Sequence, residues 1–261
     1  EVLSDPSILT VQLGNFRVEK TGEGDGFYTN LKEIPLEWEF CGDNIDKYLA
    51  RFNHNKNYTD HLLSNTFNDQ LCLKDISKID LGGLFTGSYF SNIFIRVKKC
   101  VNTTSSDIIC KPEKYIENIF RGKFVNILYT DAIVDTSNYS QPITRKLGNY
   151  FNNMDSRVKH MTDIHIKFHE VKSDVGLMFD EIKQEEAMVL DQILERVDSV
   201  KEEDGILLEI YINSSYKRTI SNRRYLKFQD VAGSLGGILE LYMLCAMFVC
   251  EYFYDYFKHT H

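Results

Sequence analysis

From Val231 to Val249 the chain reads VAGSLGGILELYMLCAMFV, nineteen residues with a single charge, Glu240. At about 1.5 Å of rise per residue, such a helix spans roughly 30 Å, the thickness of a bilayer's hydrocarbon core. Any fold must either wrap this segment in protein or hand it to lipid. Its apolar residues lie on most faces of the helix, which disfavours a soluble core. Aromatic residues flank it: Tyr225 and Phe228 before, then Tyr252, Phe253, Tyr254, Tyr256 and Phe257 after. Such belts form where amphipathic rings meet headgroups. The run predicts a membrane-spanning helix over 229–257, with 1–228 as the body ahead of it and 258–261 as a tail.

Glu240 carries a second constraint. A carboxylate facing lipid is costly, so it should face protein. At about 100° per residue, Glu240, Glu251 and Asp255 fall within about 60° of one another, and Gly233 and Gly237 join them. The glycines form a G-x-x-x-G pair, which allows close backbone approach. This stripe is expected to pack against another spanning helix of the same protein or of a neighbouring protomer. An ion or proton pathway along it is the weaker alternative.

The body has ordinary globular composition, 43% hydrophobic and 26% charged over 261 residues. Its net charge of −8 argues against a nucleic-acid surface, which needs clustered Lys and Arg. Four cysteines lie in the body (Cys41, Cys72, Cys100 and Cys110), while Cys245 and Cys250 lie in the apolar run. Four cysteines allow three pairings. The short polar loop between Cys100 and Cys110 is the kind a disulfide closes, which leaves Cys41 with Cys72; four reduced buried thiols are the alternative. Asn57, Asn102, Asn138 and Asn213 each begin an N-x-[ST] sequon, and all four precede residue 231. Together they favour an extracellular or lumenal body bearing N-linked glycans. One signal dissents: Lys217, Arg218, Arg223, Arg224 and Lys227 precede the span and only Lys258 follows it. By charge bias alone the body would be cytoplasmic. The other placement for this cluster is at lipid phosphates of the outer surface.

Alternation predicts strands at Ile8 to Leu13, around Ile93, Ile95 and Val97, and around Ile164, Ile166 and Phe168; Phe124 to Val134 is rich in β-branched and apolar residues, and Ile206 to Ile212 is another candidate. Helices are fewer. Asp43 can cap one through Tyr48, Leu49 and Phe52, and Pro112 suits the first turn of another through Tyr115, Ile116, Ile119 and Phe120. Val189, Ile193, Val197 and Val200 have helical spacing, so 184–203 reads as helix, with strand as the alternative over 174–203. Gly22 to Gly26 is a loop. The fold class is α+β: a mainly antiparallel sheet with a few helices, plus one C-terminal transmembrane helix.

No catalytic constellation emerges. Gly82 to Ser88 is glycine-rich but lacks the lysine of a phosphate loop, so it reads as a turn before the next strand. His160, His165 and His169 lack zinc-ligand spacing. Asp75, Asp80, Asp131 and Asp135 sit at strand and turn boundaries, where aspartate is favoured for turn formation alone. The expectation is therefore a protein that is not an enzyme, with no metal and no cofactor.

The stretches from Cys72 through LKDISKIDLGGLF to Gly87, FSNIFIRVKKC ending at Cys100, Cys110 with KPEKYIENIF, VNILYTDAIVDTSNYSQP, and SYKRTISNRRYLKFQDVAGSLGGILEL resemble a large family of two-pass membrane proteins of ciliates. The resemblance implies a disulfide-containing ectodomain between two spanning helices, the first upstream of Glu1. It implies no catalytic residues. Two functions remain. One is a structural or interaction protein assembling into a homo-oligomeric coat, lattice or filament on a membrane. The other is a subunit of a two-helix ligand-gated cation channel or receptor, by analogy of topology.

Overall fold

The structure is a computed structural model that describes residues 5–21, 28–44, 70–102, 108–138, 140–200 and 204–260. The Asn57 sequon, the Gly22 to Gly26 loop and the helix expected beyond Asp43 lie outside them; a short 3-10 turn, Cys41–Asn44, occupies the Asp43 region. The chain forms two compact units, Glu1–His169 with Glu186–Thr219, and Glu170–Glu185 with Ile220–His261. The second unit thus begins upstream of the expected boundary at residue 228.

The strands are β1 (Leu9–Thr21), β2 (Tyr28–Pro35), β3 (Trp38–Phe40), β4 (Leu71–Leu73), β5 (Gly82–Gly83), β6 (Tyr89–Lys99), β7 (Lys123–Val134), β8 (Ile143–Met154), β9 (Val158–Asp174), β10 (Ile182–Ser199) and β11 (Ile206–Arg224). The helices are α1 (Glu113–Phe120) and α2 (Phe228–Thr260). One sheet has the order β10-β9-β11-β6-β1-β2, with β5 added to β6, and two antiparallel pairs accompany it, β3 with β4 and β7 with β8. The glycine-rich segment is the expected turn: β5 leads through it into β6.

In the first unit, register converts alternation into two sheet faces. Val11, Val97 and Leu208 form one cross-strand row, and Leu13, Ile95 and Ile210 the next. Leu208 and Ile210 have no exposed surface. This apolar face packs with Ile116 and Phe120 of α1 and with Tyr150 and Met154 of β8 to make the core. Helix α1 follows Pro112 as expected, burying Ile116 and Phe120 and exposing Tyr115.

The opposite face is polar where residues shift by one. Gln12, Arg96 and Glu209 form a row, followed by Gly14, Phe94 and Tyr211. A Cβ on Gly14 would lie 2.7 Å from both Ile34 O and the Phe94 ring, so glycine lets that ring cross β1. Phe94 in turn lies 4.3 Å under the Arg96 guanidinium, a cation–π contact. Arg96 Nε donates to Glu209 Oε1 at 2.8 Å and Nη1 to Glu33 at 2.8 Å; Lys159 holds Glu209 Oε2 at 2.8 Å and Tyr211 OH donates to Oε1 at 2.7 Å.

The helix read from 184–203 is corrected: the segment is strand β10 to Ser199. Its apolar residues do recur at helical spacing, but Leu190 and Ile193 pack against the sheet core while Val197 is exposed. Pairing with the long strand β9 overrides the periodicity.

Candidate functional site

Among the described residues, two places concentrate chemistry, one in each unit. In the first unit a cleft of about 580 Å³ opens over the polar sheet face. Its apolar wall is Phe16, Phe85, Phe90 and Tyr216; its polar wall is Asn92, Asp163, His165, Asp191, Arg196 and Lys217. The acids there are engaged. Arg196 holds Asp163 at 2.5 Å, and Asp191 accepts from Ser215 Oγ at 3.1 Å while pairing with Lys167 at 3.2 Å and Lys217 at 3.4 Å. Burial works against the Asp191 charge, but the bonds from Lys167, Ser215 and Lys217 prevail and hold its carboxyl below the usual range. His165 lines this cleft, whereas His169 is half-buried, with burial and then Lys167 lowering its pKa. No group of His, Cys, Asp and Glu suited to a metal occurs among the described residues.

The four aspartates considered from sequence are not gathered into one site. Asp75 accepts from Ser77 N at 2.9 Å and Asp135 from Ser137 N at 2.9 Å, both turn-forming contacts. Asp80 receives Arg17 at 2.6 Å and the Tyr89 hydroxyl, anchoring the loop before β6. Asp131 accepts from Leu190 N of β10 at 3.0 Å and pairs with Lys146 at 3.2 Å. Its long-range role is invisible to local sequence.

The second unit holds the base of α2. Lys227 is buried and pairs with Asp174 at 2.8 Å and with Asp180. The bond from Lys227 is the main reason the Asp174 carboxyl drops to about 2; the Glu181 and Gly176 amides also favour its charge, and burial opposes them. Asp174 and then Asp180 raise the Lys227 pKa correspondingly. The stretch Phe228–Glu251 is long and apolar enough to cross a membrane, and none of it is buried. Gly233 and Gly237 have open space where side chains would project, Glu240 and Glu251 are exposed, and Asp255 falls in the same helix. Cys245 and Cys250 are exposed free thiols on it.

The bases ahead of the helix find partners in their own chain. Lys217 pairs with Asp191, Arg218 with Glu186 at 2.9 Å and Arg224 with Asp230 at 3.1 Å; Arg223 donates to Ser173 Oγ at 2.7 Å, and Lys227 has its two aspartates. These bases answer acids and hydroxyls of their own chain.

Cys41 is bonded to Cys72 and Cys100 to Cys110. Asn102 and Asn138 are exposed, Asn102 accepting from Cys110 N at 3.0 Å and Asn138 from Ser140 and Gln141. Asn213 differs. It lies in β11 at 8% exposure, accepting from Asn92 Nδ2 at 2.9 Å. It also lines the cleft, and of the three sequon asparagines described it is the one that is buried.

A family model described as the uncharacterised 80 kDa protein N-terminal domain matches residues 3–215. No curated protein and no solved structure matches the chain. The matched segment takes in most of the sheet, both disulfides and the cleft apart from Tyr216 and Lys217, and covers well over half of the chain. The chain belongs to the family of the uncharacterised 80 kDa protein N-terminal domain.

Proposed function

We propose that this is a membrane-anchored glycoprotein with a structural or interaction role, its body extracellular or lumenal, assembling into a homo-oligomeric coat, lattice or filament. The observation that carries the reading is the placement of Glu240. It sits within the apolar stretch of α2 on the stripe of Gly233 and Gly237, and no partner from its own chain meets it among the described residues. In lipid such a group needs a polar or protein neighbour, and a second α2 brings one through the close approach that the glycines permit. The two disulfides fit an oxidising compartment for the body. The resemblance to two-pass ciliate membrane proteins supports the same topology and adds the first span of that family as a further neighbour for the stripe.

Native electrophoresis of the full chain in mild detergent tests this. The wild type should migrate as an oligomer, and replacing Gly233 and Gly237 by leucine should weaken association roughly tenfold or more. A wild type that stays monomeric at every concentration would overturn the reading.

A further inference from the structure

The second unit carries an apolar tip that no sequence motif announces. Between β9 and β10 the chain reverses tightly: Val175 N donates to Glu181 O at 2.8 Å, and Gly176 N and Glu181 N both donate to Asp174 Oδ1, at 3.2 and 3.0 Å. A Cβ on Gly176 would lie 1.7 Å from Phe179 O, so the reversal closes on a glycine. The tip holds Leu177, Met178 and Phe179 at 73%, 50% and 80% exposure. Three consecutive large apolar side chains in water are a liability unless something covers them.

Their position says what does. Phe228 N, at the first residue of α2, donates to Leu177 O at 3.1 Å. The tip therefore sits level with the start of the apolar stretch, which begins at the same Phe228. Leu226 and Phe228 are themselves exposed beside it, extending the apolar surface. The buried Lys227 is paired with Asp174 and with the exposed Asp180, and pairing lowers the cost of bringing this end against the headgroup boundary. The surface is continuous with the helix that the proposed function places in lipid.

We propose that Leu177, Met178 and Phe179, together with Leu226 and Phe228, insert into the headgroup–acyl boundary of the leaflet that α2 enters. The contact is a second, monotopic attachment of the same unit, and it holds the β9–β10 reversal against the bilayer surface. It rests on the reading of α2 as a membrane span.

The test uses the full chain in lipid nanodiscs, with phosphatidylcholine brominated at shallow acyl positions as the quencher. Two variants are compared with the wild type, whose single tryptophan, Trp38, lies in the first unit and sets the baseline. Phe179→Trp reports on the tip and Phe248→Trp on the helix; both keep an aromatic ring, so folding is preserved. The added emission at 179 should be blue-shifted and fall roughly twofold or more in brominated lipid. Quenching at 248 with none at 179, or capture of the tip by protein instead of lipid, would overturn the inference while leaving the spanning helix intact. Quenching at neither position would remove both.

Discussion

Replacing Glu209 with alanine should destabilise the sheet body by about 3–5 kcal/mol, the range for removing one partner of a buried ion pair. Glu209 is buried at the centre of the sheet and serves Arg96, Lys159 and Tyr211 at once. Burial raises the cost of its charge, yet the bonds from Lys159, Tyr211 and Arg96 hold its carboxyl below the usual glutamate range. Without it, two cations with little exposure lose their main acceptor, although Arg96 keeps Glu33. The loss should appear as a fall of about 10 °C in the thermal unfolding of the detergent-solubilised chain. Glu209→Gln keeps an acceptor oxygen and should lose less. A Glu209→Ala shift within about 1 °C would mean that water reaches this row, contrary to the burial described.

Removing the Cys100–Cys110 disulfide by serine at both positions should cost about 3 kcal/mol, set by the entropy of a loop whose ends are 10 residues apart. The bond sits where three elements meet. Cys100 N donates to Ile8 O at 2.8 Å, Lys111 N to Ser7 O at 2.9 Å, and α1 begins directly afterwards at Glu113. Cys100 also packs against the main core, so loosening this end exposes Ile116 and Phe120. Chemical unfolding with and without reductant is the measurement. Wild type under reductant should fall at least as far as the double serine variant, because reductant also opens Cys41–Cys72. Identical midpoints for the oxidised wild type and the variant would show that the hydrogen bonds alone fix this corner.

How much of this was legible depends on whether the deciding contact is local. Strands β1, β6 and β9 follow from alternation and β7 from its β-branched and apolar composition, while β6 and β11 are buried on both faces at their centres, which alternation alone does not announce. Strand β8, ITRKLGNYFNNM, carries few apolar residues and takes its conformation from the β7 ladder. Strand β10 satisfied a helical pattern, and only β9 decides against it. Asn213 has the local signature of an accepting sequon, yet it is buried and bonded to Asn92, 121 residues away. The partners of the basic cluster are equally remote: Lys217 meets Asp191 at a separation of 26, and Arg223 meets Ser173 at 50. Leu177, Met178 and Phe179 read as more strand apolarity, because exposure is a property of the fold. The apolar α2 was legible outright, since its composition needs no tertiary partner to make a helix.

The central claim is that Phe228–Glu251 lies in lipid and that the chain before it was exported. Site-resolved mass spectrometry of the native protein, digested without reduction after an alkaline carbonate wash of its membranes, tests this most directly. The account predicts protein retained in the membrane pellet, peptides linked Cys41 to Cys72 and Cys100 to Cys110, glycans on Asn57, Asn102 and Asn138, and a bare Asn213. Protein released into the wash, with free thiols and unmodified asparagines throughout, would contradict it.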